Sequence, residues 1–498
     1  MTPSEVADWF AASADEVIET PIAWVFLTGE KAFKVKKPVD FGFLDYTTLE
    51  KRRWALEREQ AFNAKATAEA DIYRGVHRIT REGGGLALDG AGETVEYALQ
   101  MRRFAQEAVL SNQPWALTGD VAEALGRTIA RLHAGAAIRP EGGGTAALGY
   151  TVRSNAELLT RLGPQLGEEW AGELSAMLAR LDAVFDRHAV LLERRKGLGL
   201  ARHCHADLHL GNILLESATP TLFDCIEFND VLSDIDVQYD LAFLLMDLDF
   251  RRRRDAGVRV LSGYLDEAAR SFGTTVYEGL AALPLMMAVR AGVRAHVCGY
   301  GGDLDGAKAY IAAARDHLPG RPRRMVAVGG YSGSGKSTFA RLIAPGLGAS
   351  PGAVVLRNDE VRKRHAGVGP LDRLPAEAYR VDPNQTYADL ISEAGQLLHA
   401  GHSVALDATF LRPEHRARAE AMARASGAEF HGVWLEAPRE VLEARVAARQ
   451  GDASDADLSV LARQLEQDRG PAPGWVRVDA SDLEASAKWW TAQLDLGD

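Results

Sequence analysis

The run Met325-Val-Ala-Val-Gly-Gly-Tyr-Ser-Gly-Ser-Gly-Lys336-Ser337-Thr338 limits the possible folds of this chain more than any other stretch. An apolar strand, Met325–Gly329, leads into a glycine-rich loop, and a helical pattern follows, the context that confirms a G-x-x-x-x-G-K-[ST] phosphate loop. Gly330, Gly333 and Gly335 let backbone N–H groups converge on phosphates without a Cβ in the way. Ser332, Ser334 and Thr338 complete the cradle, and the helix N-terminus adds partial positive charge. In this reading Lys336 reaches the β- and γ-phosphates and Ser337 ligates Mg²⁺.

The pattern after the loop is a strand–loop–helix repeat. Ala353–Leu356, Ser403–Leu406 and Phe430–Leu435 each precede a helical segment, which predicts a parallel, doubly wound sheet. Asp359 and Arg362 fall just past the second strand, at the carboxyl end where ligands bind in such sheets. Asp359 is the expected acceptor of a hydroxyl proton, with Arg362 three residues along a helix facing the same cleft. Asp407 ends the next strand as a second Mg²⁺ ligand. Ala408 follows it, where ATP-hydrolysing motors carry a glutamate. Arg445 and Arg449 are spaced to share a helix face leading into Gly451–Asp455, read as a mobile lid whose arginines neutralise a transferring phosphoryl group. Asn358-Asp359-x-x-Arg362 and Asp407-Ala-Thr409-Phe resemble motifs of the small P-loop kinases related to phage polynucleotide kinase, gluconate kinase and the zeta toxins. The resemblance spans about 325–495 and implies phosphoryl transfer to a hydroxyl.

A second signature lies upstream: His205-Ala-Asp207-Leu-His209-Leu-Gly-Asn212, then Leu222-Phe223-Asp224. The D-x-x-x-x-N spacing lets one short loop present a catalytic base, Asp207, beside a metal ligand, Asn212, with Asp224 as the second ligand. The phosphate-holding cation is Lys34 or Lys36, which alternate onto one face of a single strand. Glu59 on the following helix is the expected carboxylate partner, with Glu57 behind it. These residues, with Leu132-His133 and Asp240-Leu-Ala, resemble the aminoglycoside phosphotransferase-like kinases over about 20–315. That family's usual H-G-D has alanine here at Ala206, and the usual Asp-Trp-Glu reads Asp224-Cys-Ile-Glu227. His205, His209, Cys204 and Cys225 read as packing residues. Arg251–Arg254 reads as a solvated helix face, with anchoring of an anionic acceptor as the lesser alternative.

With 498 residues the chain exceeds one ordinary core. The expected architecture is a bilobal kinase-like fold (α+β, 1–318, N-lobe to about 105, helical C-lobe from about 106), a linker at 319–324, and an α/β P-loop kinase fold with a doubly wound parallel sheet at 325–498. Net charge of −12 argues against a broad nucleic-acid surface, so a nucleic-acid acceptor is kept only for the C-terminal half, as a polynucleotide 5′-hydroxyl kinase. Three cysteines without CxxC spacing suit a reducing, cytoplasmic setting. No leader is read at the N-terminus and no membrane association is expected; Leu280–Val289 reads as a buried helix. The combined expectation is a bifunctional kinase using ATP or GTP with Mg²⁺ on small hydroxylated acceptors. A nucleotide-sensing protein with one or both sites inactive is the alternative from another class.

Overall fold

A computed structural model describes residues 3–42, 44–66, 70–217, 219–375, 383–449, 453–467 and 473–494. The chain divides into two compact units. One holds Met1–Leu117, Ala136–Thr151 and Leu192–Leu244; the other holds Thr118–Gly135, Val152–Leu191 and Leu245–Asp498.

In the first unit, alternating apolar residues build an antiparallel sheet from β1 (Glu16–Glu19), β2 (Ala23–Thr28), β3 (Lys31–Lys36), β4 (Tyr73–Glu82), β5 (Gly85–Leu88) and β6 (Glu93–Arg102). The strand order is β1-β2-β3-β6-β4-β5. A tight turn at Gly29-Glu30 joins β2 to β3, with Thr28 opposite Lys31. Helix α1 (Pro3–Ala11) buries Val6 and Phe10 against Phe26, Phe33 and Val35 on one face of the sheet. Helix α2 (Leu49–Ala66) buries Leu56 against Ile72 and Leu99. Farther along, β7 (Ala201–His203) pairs with β10 (Asp234–Asp236), and β8 (Ile213–Leu214) forms a hairpin with β9 (Thr221–Leu222). A single turn, α6 (Asp230–Ser233), completes it.

The second unit joins helices to a sheet. Helices α3 (Gly119–Gly135) and α8 (Arg254–Phe272) approach closely because Gly126 and Gly263 lack side chains. A Cβ there would lie 2.1 Å from the Val260 carbonyl oxygen and 2.5 Å from that of Glu123. Helices α4 (Gly144–Leu166), α5 (Glu168–Gly197) and α7 (Val237–Phe250) contribute residues to both units, while α9 (Leu283–Tyr300) and α10 (Leu304–His317) belong to the second. Thr274–Tyr300 is the one described stretch long and apolar enough to span a membrane, and 78% of its most apolar window is buried, as in a core helix. Arg251–Arg254 is not a helix face: Arg251–Arg253 form the α7–α8 connection, with Arg252 at φ +59°, and Arg254 opens α8.

Beyond Leu318–Arg323, which carries no helix or strand, comes the parallel sheet. Its strands are β11 (Arg324–Gly329), β12 (Val354–Arg357), β13 (Val404–Asp407), β14 (Glu429–Glu436) and β15 (Val476–Asp479), in the order β12-β13-β11-β14-β15. All four pairings are parallel. Because the order reverses beside β11, a crevice opens at its carboxyl end. The flanking helices are α11 (Lys336–Ile343), α12 (Asn358–His365), α13 (Pro383–His399), α14 (Pro413–Ala425), α15 (Arg439–Ala447), α16 (Leu458–Glu466) and α17 (Leu483–Gln493). Val258 of α8 is buried in the same core as Val326, Phe339 and Val433, so α8 is part of this core.

Candidate functional site

In the first unit, strand alternation sends Lys34 and Lys36 to one face of β3, and both reach Glu59 of α2. Each Nζ lies 2.8 Å from a different oxygen of that carboxylate, which has no solvent exposure. The second partners differ. Lys34 contacts Asp224 Oδ1 at 2.6 Å, whereas Lys36 contacts Glu227 Oε1 at 2.5 Å. Tyr46 also donates to Glu227 Oε1. Glu57 instead faces Arg53 on the surface. Burial works against the Lys34 charge, but Asp224, Glu59 and Glu227 outweigh it and raise its pKa well above the ordinary value. Burial likewise pushes the Asp224 carboxyl up, and the Lys34 charge beside it prevails and holds it down.

The loop carrying Asp207 is held by its backbone. Asp240, on α7, accepts from the His205 and Ala206 N–H groups at 3.1 and 2.8 Å. Ala206 sits at φ +70°, the left-handed region that explains why relatives of this motif favour glycine there. His205 donates from Nε2 to the Phe223 carbonyl oxygen at 2.9 Å, and His209 Nδ1 accepts from Gly211 N–H at 3.0 Å. Both histidines therefore order the loop. Asn212 Nδ2 donates to Asp207 Oδ2 at 2.7 Å. The β8–β9 hairpin then returns the chain, with Phe223 N–H bonded to the Asn212 carbonyl oxygen at 3.0 Å, which brings Asp224 beside Asn212. Asp207, Asn212, Asp224, Lys34 and Glu59 thus form one connected cluster. Lys36 joins it only through Glu59. Cys225 is buried against Asn63, and burial pushes its thiol up, as suits a packing residue.

In the second unit the phosphate loop lines a cavity of 920 Å³. Gly330 at φ +141° and Gly333 at φ +84° need glycine twice over, since a Cβ would also approach the Leu435 and Leu442 carbonyl oxygens at 2.9 and 2.5 Å. Ser332, Gly333, Gly335, Lys336, Ser337 and Thr338 face the cavity with Asp359, Arg362, Asp407, Arg445 and Arg449. Gly330 and Ser334 stand behind it: Gly330 N–H donates to the Thr409 carbonyl oxygen at 3.2 Å, and Ser334 is fully buried. Lys336 donates to the Tyr331 carbonyl oxygen at 2.8 Å. Burial depresses its pKa, against the opposing charges of Asp407 and Asp359.

Ser337 Oγ donates to Asp407 Oδ2 at 2.6 Å, which joins the two expected Mg²⁺ ligands directly. Helix α12 starts immediately after β12 and puts Asp359 and Arg362 on the cavity wall together. Arg445 and Arg449 do not share a helix: α15 ends at Ala447, so Arg449 lies just beyond it, bonded to the Ala456 carbonyl oxygen at 3.4 Å. Gly451 and Asp452, the centre of the expected lid, lie outside the described residues.

Three contributors escaped sequence reasoning. Arg357 ends β12 and donates to Asp407 Oδ2 and to Ser337 Oγ, both at 3.1 Å. Gln464 on α16 accepts from the Ser332 N–H of the phosphate loop at 2.8 Å. Glu227 holds Lys36. Only Glu227 had a signal, three residues after Asp224 and one place beyond the glutamate of the usual Asp-Trp-Glu; a lone arginine and a lone glutamine have no spacing that marks them.

Both clusters offer hard oxygen donors of the kind Mg²⁺ takes: Asn212 with Asp224, and Ser337 with Asp407. Two nucleotide-handling architectures, a kinase-like lobe and a P-loop fold, define the chain as a kinase-type phosphotransferase of two domains. Residues 48–282 match the family described as phosphotransferase enzyme family, and residues 325–471 match the family described as AAA domain. The chain is 32% identical over 481 residues to the "Uncharacterized protein Rv2004c" of Mycobacterium tuberculosis (strain ATCC 25618 / H37Rv), covering 91% of each, and it belongs to that family. The "Uncharacterized protein Mb2027c" of Mycobacterium bovis matches to the same extent. Among solved structures, a thermostable mutant of aminoglycoside phosphotransferase APH(4)-Ia is 12% identical, with 63% of this chain and 97% of that one covered and a TM-score of 0.38. A gluconokinase from Sinorhizobium meliloti 1021 is 23% identical, covering 35% of this chain and 93% of its own, with a TM-score of 0.25.

Proposed function

We propose that this protein is a bifunctional, ATP-dependent kinase that phosphorylates alcohol groups of small molecules at two separate sites. One observation carries the reading: in each unit a lysine, two oxygen-bearing groups able to ligate a cation and a further carboxylate meet in one cluster or cavity. At the first site Lys34 neutralises the nucleotide phosphates while Glu59 fixes its position. Asp207, oriented by Asn212, accepts the proton of the incoming hydroxyl. At the second site the loop amides and Lys336 hold the phosphates, and Asp359 takes the proton with Arg362 beside it. Arg445 and Arg449 compensate the charge that spreads over the transferring group. Asn212 and Asp224 would hold Mg²⁺ at one site and Ser337 and Asp407 at the other, where it would supply charge neutralisation on the phosphate oxygens. The three free cysteines support a cytoplasmic setting.

The test is ADP release from purified protein with ATP and Mg²⁺ against sugars, nucleosides, aminoglycosides and a 5′-hydroxyl oligonucleotide. Asp207→Asn and Asp359→Asn each should remove one set of acceptors, and the double variant both. Full transfer by the double variant would refute the proposal. Nucleotide binding without turnover on any acceptor would favour a sensing role instead.

A further inference from the structure

The arginine run at 251–254 has no part in either site, yet it opens onto a cavity of 840 Å³ in the second unit. The walls come from the end of α7, the start of α8, helix α10, the chain at 319–324 and the segment Gly346–Ser350. Arg324, on this wall, begins β11, whereas the phosphate loop follows its other end, about 20 Å away along a six-residue strand. The two cavities are therefore distinct.

Four arginines line the space: Arg252, Arg254, Arg321 and Arg324. Arg324 is paired with Glu429 at 2.9 Å. Two carboxylates also line it. Asp316 is paired with Arg315 at 3.0 Å, and Asp249 lies between Arg254 Nε at 3.3 Å and His317 Nε2 at 3.8 Å. Among the described residues no carboxylate faces Arg252 or Arg321 within ion-pair distance, so the cavity holds an excess of positive charge. Burial weighs on the Arg254 guanidinium, Asp249 supports its charge, and the neighbouring Arg321 charge opposes it. Like charges converge in this way where an anion is to be bound.

On the same wall Ser350 Oγ is buried without a hydrogen-bond partner, and Arg254 Nε and His317 Nε2 have only their ion pairs with Asp249. The His317 side chain is only 5% exposed. An unsatisfied buried hydroxyl is costly, and beside two arginines that face no carboxylate it points to a ligand. The remaining wall is apolar, with Phe250, Pro284, Ala309 and Ala313.

We propose that this cavity binds a phosphate monoester, its phosphate against Arg252, Arg254 and Arg321 and its organic body against Phe250 and Pro284. Calorimetry with phenyl phosphate tests this, on full-length protein saturated with Mg²⁺ and a non-hydrolysable ATP analogue. One equivalent should bind, about tenfold more tightly than inorganic phosphate because of the apolar wall. Arg252 and Arg321 are exposed, so the Arg252→Ser/Arg321→Ser variant should fold normally and lose at least about tenfold in affinity. Lys336→Ala and Lys34→Met should leave the binding unchanged. No saturable binding, or binding that survives the double arginine change, overturns the site. Equal affinity for inorganic phosphate overturns the ester and its apolar contact.

Discussion

Arg357 Nε lies 3.1 Å from Asp407 Oδ2, so the last residue of one strand braces the last residue of its neighbour at the carboxyl edge of the parallel sheet. The same guanidinium reaches Ser337 Oγ. Behind it, Glu360 stands 3.6 Å from Arg357, and Arg127 of α3 donates to Glu360 at 3.0 Å. Arg127 also pairs with Asp266 of α8, which pairs with Arg364 at 2.7 Å. The brace is thus anchored in α3 and α8, helices that precede the P-loop segment in sequence.

Arg357 is a positioning residue in this arrangement. Arg357→Met is expected to lower turnover at the C-terminal site about 10- to 100-fold and to weaken the apparent Mg²⁺ affinity, with little change in acceptor KM. Steady-state kinetics across a Mg²⁺ titration would separate this from a structural defect, which would move the thermal midpoint and leave the Mg²⁺ dependence of the folded fraction intact.

The two lysines of β3 predict opposite phenotypes. Lys34 contacts Asp224, beside the loop that carries Asp207 and Asn212, so Lys34→Met should abolish nucleotide binding at the first site with the fold retained. Lys36 is buried between Glu59 and Glu227, and Lys36→Met leaves both carboxylates short of a cation. A loss of about 3–5 kcal/mol of stability is expected. Calorimetric nucleotide titration and urea unfolding of both variants would show the reverse pattern if the assignment were inverted.

Glu360 supplies a pH dependence. Burial first, then Asp266, raises its pKa from 4.5 to about 7, against the pull of Arg357 and Arg127. Between those values the folded chain keeps a proton that the unfolded chain has released, so rising pH favours unfolding. The stability of wild type relative to Glu360→Gln should therefore fall as pH rises through this window and level off above it. Chemical denaturation of both proteins at a series of pH values measures the difference, and a rise with pH would contradict the expectation.

Ala206 holds a left-handed conformation with its N–H committed to Asp240. Ala206→Gly should relieve the Cβ strain and stabilise the first unit by about 0.5–1 kcal/mol net of the added chain entropy. The urea midpoint of unfolding reads it directly, and a lower midpoint would show that the loop carries no strain there.

Much of this was legible in the chain itself. The phosphate loop, Asp207 with Asn212, and four of the five strands of the parallel sheet, all but β15, carry local patterns, because each is made by residues close in sequence. Period-two alternation placed Lys34 and Lys36 on one face but could not choose between them, since the choice is made by Asp224 and Glu227, some 190 residues away. Helix α1 and strands β4 and β5 were not read, and the boundary of α15 fell short of Arg449. Arg357 and Gln464 were invisible for the same reason as the lysine choice: their partners come from other elements, and nothing local records the encounter.

Gln464 carries a last consequence. Its side-chain oxygen takes the Ser332 amide, one of the donors that a nucleotide phosphate would claim. An arriving phosphate must share that amide or evict the glutamine. The position of α16 is thereby tied to whether the loop is filled, and a fluorophore on that helix would report loading before any product forms.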